Sequence, residues 1–164
     1  MYPELESYVQ VIEHLRSQIG ELIAGLTAEA LNWQPVEGTG EHATNSLAVL
    51  ATHVAGSEHY WIGEVAGRLP ATRIRDAEFA AEAGDAAPLL QLLEERTAET
   101  RQVLSALEAA DLESVREMGD RTVTVRWCIL HVIEHTALHL GHMQLTYQLW
   151  RLGAASLTAP ATAV

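Results

Sequence analysis

The sequence contains no lysine, one cysteine and one phenylalanine, and none of its apolar runs approaches the ~20 residues that a membrane-spanning helix needs. The single cysteine, Cys128, excludes an internal disulfide, which fits a reducing compartment. Residues 1–20 lack the basic stretch, the apolar stretch and the cleavage site of a signal peptide. These absences predict a cytoplasmic protein with no membrane partner.

Positive charge is also scarce. Ten arginines stand against 22 acidic residues, and the formal net charge is −12. The arginines are scattered along the chain, whereas a nucleic-acid-binding protein usually carries a basic patch or stripe. A strongly acidic surface repels phosphate backbones and anionic lipids. We therefore expect neither a nucleic acid nor a membrane surface as a partner.

Apolar residues at helical spacing are abundant. With 164 residues, 48% of them hydrophobic, the chain can fill one core in one domain. Apolar positions recur in steps of three and four, which predicts amphipathic helices and no second domain. We predict an all-α four-helix bundle over residues 1–153, followed by a flexible tail of residues 154–164. The predicted helices cover residues 3–28, a segment capped by Thr44 or Asn45 that ends near Gly67, a segment from Asp85 to about Leu107, and a segment from Thr124 to Leu152.

Two features of this pattern bear on the arrangement of the helices. Residues 71–84 have mixed charge and no period, which predicts that they belong to a linker between the second and third helices. Counted from the end of the second helix near Gly67 or Pro70, this linker has about 15 to 17 residues, which is unusually long for a compact domain. Such a linker can return the chain along the bundle and leave the second and third helices parallel. The fourth helix has two apolar stripes, which predicts burial on two sides, either at the centre or against a second subunit. The stripes are Ile129, Val132, Thr136 and Met143, and Leu130, Ile133, Leu138, Leu145, Leu149 and Leu152.

Four of the eight histidines lie in the fourth helix and occupy a narrow arc of it: His131, His135, His139 and His142. Buried imidazoles must satisfy their ring nitrogens, and several charged ones side by side would repel one another. A divalent cation resolves this problem because it binds neutral imidazole. Histidines at positions i and i+4 of a helix are well placed to hold one ion, and two pairs have this spacing, His135 with His139 and His131 with His135.

A third ligand must come from another helix, and His53 is the best-placed candidate. It lies between Leu50 and Val54 of the second predicted helix. Three protein ligands leave coordination positions open for water or substrate, as in a catalytic site. We expect His131 to orient a ligand or cap rather than to bind the metal. Three roles stay open for His142: it can line the cavity, act as a base or add a ligand. His131 and His142 are both candidate catalytic groups.

The remaining polar candidates are weaker. Glu58 and Glu134 can orient imidazoles, but we expect them on solvated faces. Cys128 is expected to be a small buried apolar residue. The other histidines are expected at the surface or in loops: His14, His42 and His59.

Three segments resemble motifs of the DinB-like (damage-inducible) superfamily. Residues 25–35, GLTAEALNWQP, resemble the end of its first helix. Residues 45–53, NSLAVLATH, resemble its second-helix motif, which ends in a metal-binding histidine. Residues 131–144, HVIEHTALHLGHMQ, resemble its last-helix signature. In this order and at these separations they cover most of residues 5–152.

The resemblance implies an up-down-down-up bundle, often a homodimer, with a metal site that maps onto His53, His135 and His139. Zinc and nickel are the usual ions. Characterised relatives include transferases and isomerases that use the thiols mycothiol or bacillithiol, and many relatives carry glutamine where this chain has His142. A transferase acting on a small-molecule thiol and an electrophile is the leading hypothesis. The alternatives are a metal-assisted hydrolase, a metal-binding or stress-associated protein without turnover, and a purely structural bundle.

Overall fold

The structure, a computed structural model, describes residues 1–36, 44–118 and 120–158. Four long helices dominate it, and shorter elements lie in the connections. The helices are α1 (Pro3–Ile23), α2 (Ala28–Asn32), α3 (Leu47–Glu58), α4 (Arg75–Phe79), α5 (Ala87–Ser105) and α6 (Val125–Thr158). A π-helical segment (His59–Ala66) continues α3, a 3-10 helix covers Ala109–Glu113, and strands β1 (Val115–Met118) and β2 (Arg121–Thr124) pair antiparallel. Within these ranges no helix combines the length and the apolar character needed to cross a bilayer.

Two apolar clusters, one at each end of the bundle, define the direction of the long helices. One cluster joins the first halves of α1 and α6 to the last turns of α5 and the π-helical segment. The other joins the end of α1 and the later part of α6 to the first turns of α3 and α5. The helices therefore run up-down-down-up, with α3 parallel to α5, as predicted. Because α1 and α3 each pack against both α5 and α6, the bundle is square in section.

The helix caps follow the sequence in part. The Thr124 hydroxyl accepts a hydrogen bond from the backbone N–H of Trp127 at 3.1 Å, as predicted for the start of α6. The cap predicted for α3 is wrong by one or two residues. Ser46 has that role, and its hydroxyl accepts from the N–H of Val49 at 3.2 Å.

The first helix is shorter than predicted, because α1 ends at Ile23 and not near Ala28. Gly25 has φ of 72°, a left-handed conformation that glycine adopts without a steric penalty. Thr27 then caps α2, with its hydroxyl accepting a hydrogen bond from the N–H of Ala30 at 3.3 Å. The apolar spacing continues through this break, which is why the periodicity does not reveal it.

The predicted linker of residues 71–84 contains α4, and α4 packs against α3. The end of the segment is hydrogen-bonded to α2. The side-chain N–H of Asn32 donates to the carbonyl of Ala83 at 2.8 Å, and the side-chain oxygen of Asn32 accepts from the N–H of Ala83 at 2.9 Å. Glu78 of α4 is 5% exposed. This segment therefore forms part of the wall of the bundle.

The segment between α5 and α6, for which the periodicity predicts no helix, contains the 3-10 helix and the β1–β2 hairpin. Gly119 lies outside the described residues. The Arg116 guanidinium donates to the carbonyls of Val65 and Ala66 at 3.0 Å each. These bonds join the hairpin to the end of the π-helical segment.

The fourth predicted helix does not end at Leu152, because α6 continues to Thr158. Residues 159–164 lie outside the described range, so a flexible tail stays a prediction. The first apolar stripe of α6 is buried. Of the second stripe, only Ile133 packs on the core. The prediction that the second stripe is buried within the chain is therefore wrong for its other members. We call its exposed members the outer stripe: Leu130, Leu138, Leu145, Leu149 and Leu152.

A buried ion pair lies between the two apolar clusters. Arg16 of α1 pairs with Glu58 of α3 and donates to the carbonyl of Leu93 at 3.0 Å, while Glu58 accepts from the Thr100 hydroxyl at 2.5 Å. The solvated position expected for Glu58 is therefore wrong. Burial lowers the pKa of Arg16 to about 10, so the guanidinium stays charged at neutral pH.

Candidate metal centre

Three histidines converge where the middle of α3 meets α6. His53 lies on α3, and His135 and His139 lie one turn apart on α6. One ring nitrogen from each lies within 4.8 Å of the other two, and the Nε2 atoms of His53 and His135 are 3.1 Å apart. The three ring centroids are separated by 4.4 to 5.0 Å. The structure thus brings together the three residues that we predicted from the sequence as metal ligands.

The carboxylate of Glu78 orients the His53 ring. Its Oε2 atom lies 2.8 Å from Nδ1 of His53, and both carboxylate oxygens accept hydrogen bonds from the Arg73 guanidinium at 2.6 and 2.9 Å. Burial would raise the pKa of Glu78, but the bonds from Arg73 and His53 outweigh it and hold that pKa below its ordinary value. An ionised Glu78 requires the proton of neutral His53 on Nδ1, which leaves the lone pair of Nε2 facing His135.

Gly56 makes room for this carboxylate. A Cβ atom at position 56 would overlap Oε1 and Cδ of Glu78. Glycine in a helix interior costs roughly 0.5–1 kcal/mol relative to alanine, so its presence in α3 has a packing reason here. Gly56 lets α4 approach α3 closely enough for Glu78 to reach His53.

Burial and mutual repulsion keep the three imidazoles neutral. Burial, followed by the neighbouring charges of His139 and His53, lowers the pKa of His135 to about 3. Burial, followed by the charges of His53 and His142, lowers the pKa of His139 to about 4. Burial also lowers the pKa of His53, against the opposing effect of Glu78. Each ring therefore has an unprotonated nitrogen at neutral pH.

The donor set fits a divalent metal ion. Neutral imidazole nitrogens are common ligands of zinc and nickel. Nδ1 of His139 is buried and has no hydrogen-bond partner in the described part of the chain, and an unsatisfied buried nitrogen is costly unless something binds it. The carboxylate behind His53 is the partner that metal-binding histidines usually have.

The other two α6 histidines extend the row in both directions. His131 stacks on Trp127 with ring centroids 4.8 Å apart and an interplanar angle of 9°, and its ring lies 5.7 Å from that of His135. Burial lowers the pKa of His131. His142 is exposed, with its ring 5.5 Å from that of His139. Both histidines adjoin the three-histidine group without joining it.

Two arginines lie over aromatic rings that contact histidines of the row. The ring of Phe79 lies 4.9 Å from that of His53, and the guanidinium of Arg75 lies 4.8 Å from the centre of the Phe79 ring. The Arg121 guanidinium lies 5.4 Å from the ring centres of both Trp61 and Trp127, which contact His131. In both places the face of an aromatic ring attracts the cation.

Among the described residues, those that the sequence offered as weaker candidates for the site lie outside the three-histidine group. His14 and Glu134 are exposed, and His42 lies outside the described residues. His59 is partly buried, and not at the surface as expected, because its Nδ1 lies 2.7 Å from the Glu99 carboxylate. Cys128 is buried as expected, and burial raises the pKa of its thiol to about 11, which makes it unreactive.

The sequence profile of the DinB superfamily matches residues 12–143. The chain belongs to the DinB superfamily. This confirms the resemblance drawn from the three motifs, and the matched range contains all three histidines of the centre. No curated protein matches the sequence of this DinB-superfamily chain.

Solved structures agree on the fold. A DinB-like protein from Bacillus cereus ATCC 10987 is similar with a TM-score of 0.71 and 14% identity, over 87% of this chain and 90% of that one. A conserved protein from Enterococcus faecalis has a TM-score of 0.66 and 17% identity, over 88% and 95% of the two chains. A DinB-like protein from Bacillus subtilis has a TM-score of 0.63 and 21% identity, over 88% and 92%. At these identities the similarity shows the fold alone.

Glu78 is the residue that reasoning from the sequence missed. It lies in the segment predicted as a linker, where no periodicity marks α4. One trace is present in the sequence, since Gly56 is a glycine within an apolar helix pattern, three residues after His53. Such a glycine indicates the close approach of another segment, but it does not identify the segment.

Proposed function

We propose that His53, His135 and His139 hold one divalent metal ion, zinc or nickel, and that this DinB-superfamily protein is a metal-dependent transferase. Its substrates would be a low-molecular-weight thiol of the bacillithiol or mycothiol type and a small electrophile. The observation that carries the proposal is the convergence of three neutral imidazoles, one of them oriented by a buried carboxylate. Three protein ligands leave room for a substrate atom.

A divalent ion bound there would supply Lewis acidity, which lowers the pKa of a thiol or of water. The chain itself supplies orientation, because Glu78 holds His53 in one tautomer and one rotation. In the transfer, the thiol sulfur forms a bond to the electrophile, the leaving group departs with the electron pair of the broken bond, and the thiol proton passes to a base. We propose His142 and His131 for this proton transfer, since imidazole is a common general base and both rings adjoin the three-histidine group.

His142 and His131 differ in what surrounds them. His142 is exposed next to His139 and can exchange protons with solvent, whereas His131 is sandwiched against Trp127. His142 is therefore the better candidate for the base, and His131 for a group that contacts substrate. We place the reaction in the cytoplasm, where small thiols are kept reduced.

We also propose that the protein is a homodimer that buries the outer stripe of α6. Leu138 and Leu145 are 57% and 55% exposed on the same helix as the centre, and a run of exposed leucines of this kind marks an interaction surface. Leu138→Glu together with Leu145→Glu should convert the dimer into a monomer in size-exclusion chromatography with light scattering. A monomeric wild-type protein would contradict this assignment.

Two alternatives use the same ligands. A metal-binding or stress-associated protein without turnover would close the site with a fourth protein ligand, for which His142 and His131 are the nearest imidazoles. A metal-assisted hydrolase would activate water in place of a thiol. Exchangeable water on the metal separates the first alternative from both enzymes, and activity without any thiol separates hydrolase from transferase.

The test begins with metal content, measured by elemental mass spectrometry on untagged protein. We expect about one equivalent of zinc or nickel in the wild type, its loss in His135→Ala and its retention in the control His14→Ala, which alters an exposed histidine of α1. Absence of metal from all three, even after addition of zinc or nickel, would overturn the metal site. With metal bound, failure of bacillithiol and mycothiol to react with any model electrophile would overturn the thiol assignment alone.

A further inference from the structure

Two arginines beside the metal centre have no acidic partner. Neither Arg75 nor Arg121 has a carboxylate oxygen within 4 Å in the described part of the chain, although acidic residues outnumber arginines by 22 to 10. Five of the ten arginines have a carboxylate partner, namely Arg16, Arg73, Arg96, Arg101 and Arg126; within the described residues Arg68, Arg116 and Arg151 have none, like Arg75 and Arg121. Arg75 and Arg121 differ from those three because their guanidinium groups lie over rings that contact His53 and His131.

Arg121 approaches the centre through a continuous stack of rings. Its guanidinium lies 5.4 Å from the ring centres of Trp61 and Trp127, Trp127 stacks on His131, and His131 lies beside His135. Arg121 is exposed and belongs to β2. Its position against the tryptophans therefore depends on the β1–β2 hairpin. The cation is thus separated from His131 by one layer of aromatic rings.

Arg75 lies over a ring that contacts the third ligand candidate, His53. Its guanidinium lies over Phe79, the single phenylalanine of the chain, and Phe79 contacts His53. Arg75 is exposed on α4. In both places a ring holds the cation by attraction to its face, and the N–H donors stay available for another acceptor.

We propose that Arg75 and Arg121 are two anion-binding positions beside the three-histidine centre, and that the substrates of this centre carry carboxylate groups. This rests on the proposed function in one respect, namely that the centre is where substrate binds. A guanidinium binds a carboxylate through two parallel hydrogen bonds, which fixes orientation as well as position. Because the surface as a whole repels anions, local cations are needed to bring such a substrate to the histidines.

The probe is succinate, a small dicarboxylate, with neutral succinamide as its matched analogue. Binding to the zinc-loaded protein and to the zinc-free protein is measured by isothermal titration calorimetry. We expect succinate to bind and succinamide not to bind. Arg121→Gln and Arg75→Gln should each raise the Kd for succinate about tenfold, since each removes charged hydrogen bonds to the ligand.

Arg151→Gln is the matched control. Arg151 also lies over a ring, at 5.9 Å from the centre of Tyr147, but it is 12 residues beyond His139, or about 18 Å along α6. Its replacement should leave the Kd for succinate unchanged. All three arginines are exposed, so circular dichroism should show folded variants.

The outcomes separate this proposal from the proposed function. Equal binding of succinamide, no binding of succinate by the wild type, or an unchanged Kd in both variants would overturn the anion-binding assignment while leaving the metal centre intact. If the protein retains no zinc but both arginine variants still weaken succinate binding, the metal proposal fails and the anion-binding positions stand.

Discussion

The Nδ1 atom of His53 lies 2.8 Å from a carboxylate oxygen of Glu78, and this contact determines which nitrogen of His53 faces His135. The two residues come from elements of different kinds. His53 belongs to a long helix with a clear apolar period, whereas Glu78 belongs to the five-residue helix α4 in the connection that follows. The orientation of the centre therefore depends on a connecting segment.

Removal of the Glu78 carboxylate should weaken metal binding. Glu78→Ala leaves His53 without an acceptor for its Nδ1 proton, and the loss of such a partner typically lowers metal affinity by about 10- to 100-fold. A competition titration with a zinc chelator measures the change. Asp76→Ala, on the exposed side of α4, is the control and should bind zinc like the wild type. Equal affinity in Glu78→Ala would show that the contact has no role in the centre.

Alanine substitution of two helical glycines should affect different properties, zinc affinity at one position and the free energy of unfolding at the other. Gly56→Ala drives a methyl group into Glu78 and should push the carboxylate away from His53, with a loss of zinc affinity. Gly141→Ala, on α6, meets nothing within 4 Å and should raise the free energy of unfolding by about 0.5–1 kcal/mol. Chelator competition and urea unfolding of both variants measure these effects. A Gly56→Ala protein with unchanged zinc affinity would contradict the steric argument.

Stability of the metal-free protein should fall as the pH falls below about 6.5. Burial and neighbouring charges lower the pKa of His135 to about 3 and that of His139 to about 4, below the ordinary value of 6.5. Between these values the unfolded chain binds more protons than the folded chain, so the free energy of unfolding rises with pH across that window. The stability that these neutral histidines contribute is fully present above pH 6.5 and is lost as the pH falls toward 4.

Urea midpoints at about pH 7.5 and about pH 5 bracket the upper part of this window and avoid most carboxylate titration. We expect a lower midpoint at the lower pH, and a smaller difference in His135→Gln because that variant has one buried imidazole fewer. His14→Gln should keep the wild-type difference, since His14 is exposed. Identical midpoints for the wild type at both pH values would refute the prediction.

The buried pair of Arg16 and Glu58 should be sensitive to removal of one partner. Arg16→Met leaves the Glu58 carboxylate buried without its cation and should lower the free energy of unfolding by about 3–5 kcal/mol in urea denaturation. The double variant Arg16→Met with Glu58→Leu should recover most of this loss, because no buried charge remains. A small effect of Arg16→Met alone would mean that water reaches the carboxylate.

Periodicity and spacing predicted much of this molecule. The four long helices follow from steps of three and four between apolar residues, since that spacing creates one apolar face whatever the neighbours are. The i, i+4 separation of His135 and His139 likewise depends on helix geometry alone. The predictions were wrong where a local conformation breaks the pattern, as at Gly25, or where short elements lack a period, as in α4 and the β1–β2 hairpin.

The sequence by itself determined the all-α class, the pair of histidines one turn apart on α6, and the membership of the DinB superfamily, because each depends on residues that are near one another in the chain. The tertiary structure alone decided that Glu78 meets His53, that Arg75 and Arg121 lie over Phe79 and Trp61, and that the outer stripe is exposed within the chain. These contacts join residues from separate elements. They depend on how the helices and their connections pack in three dimensions, which local spacing does not encode.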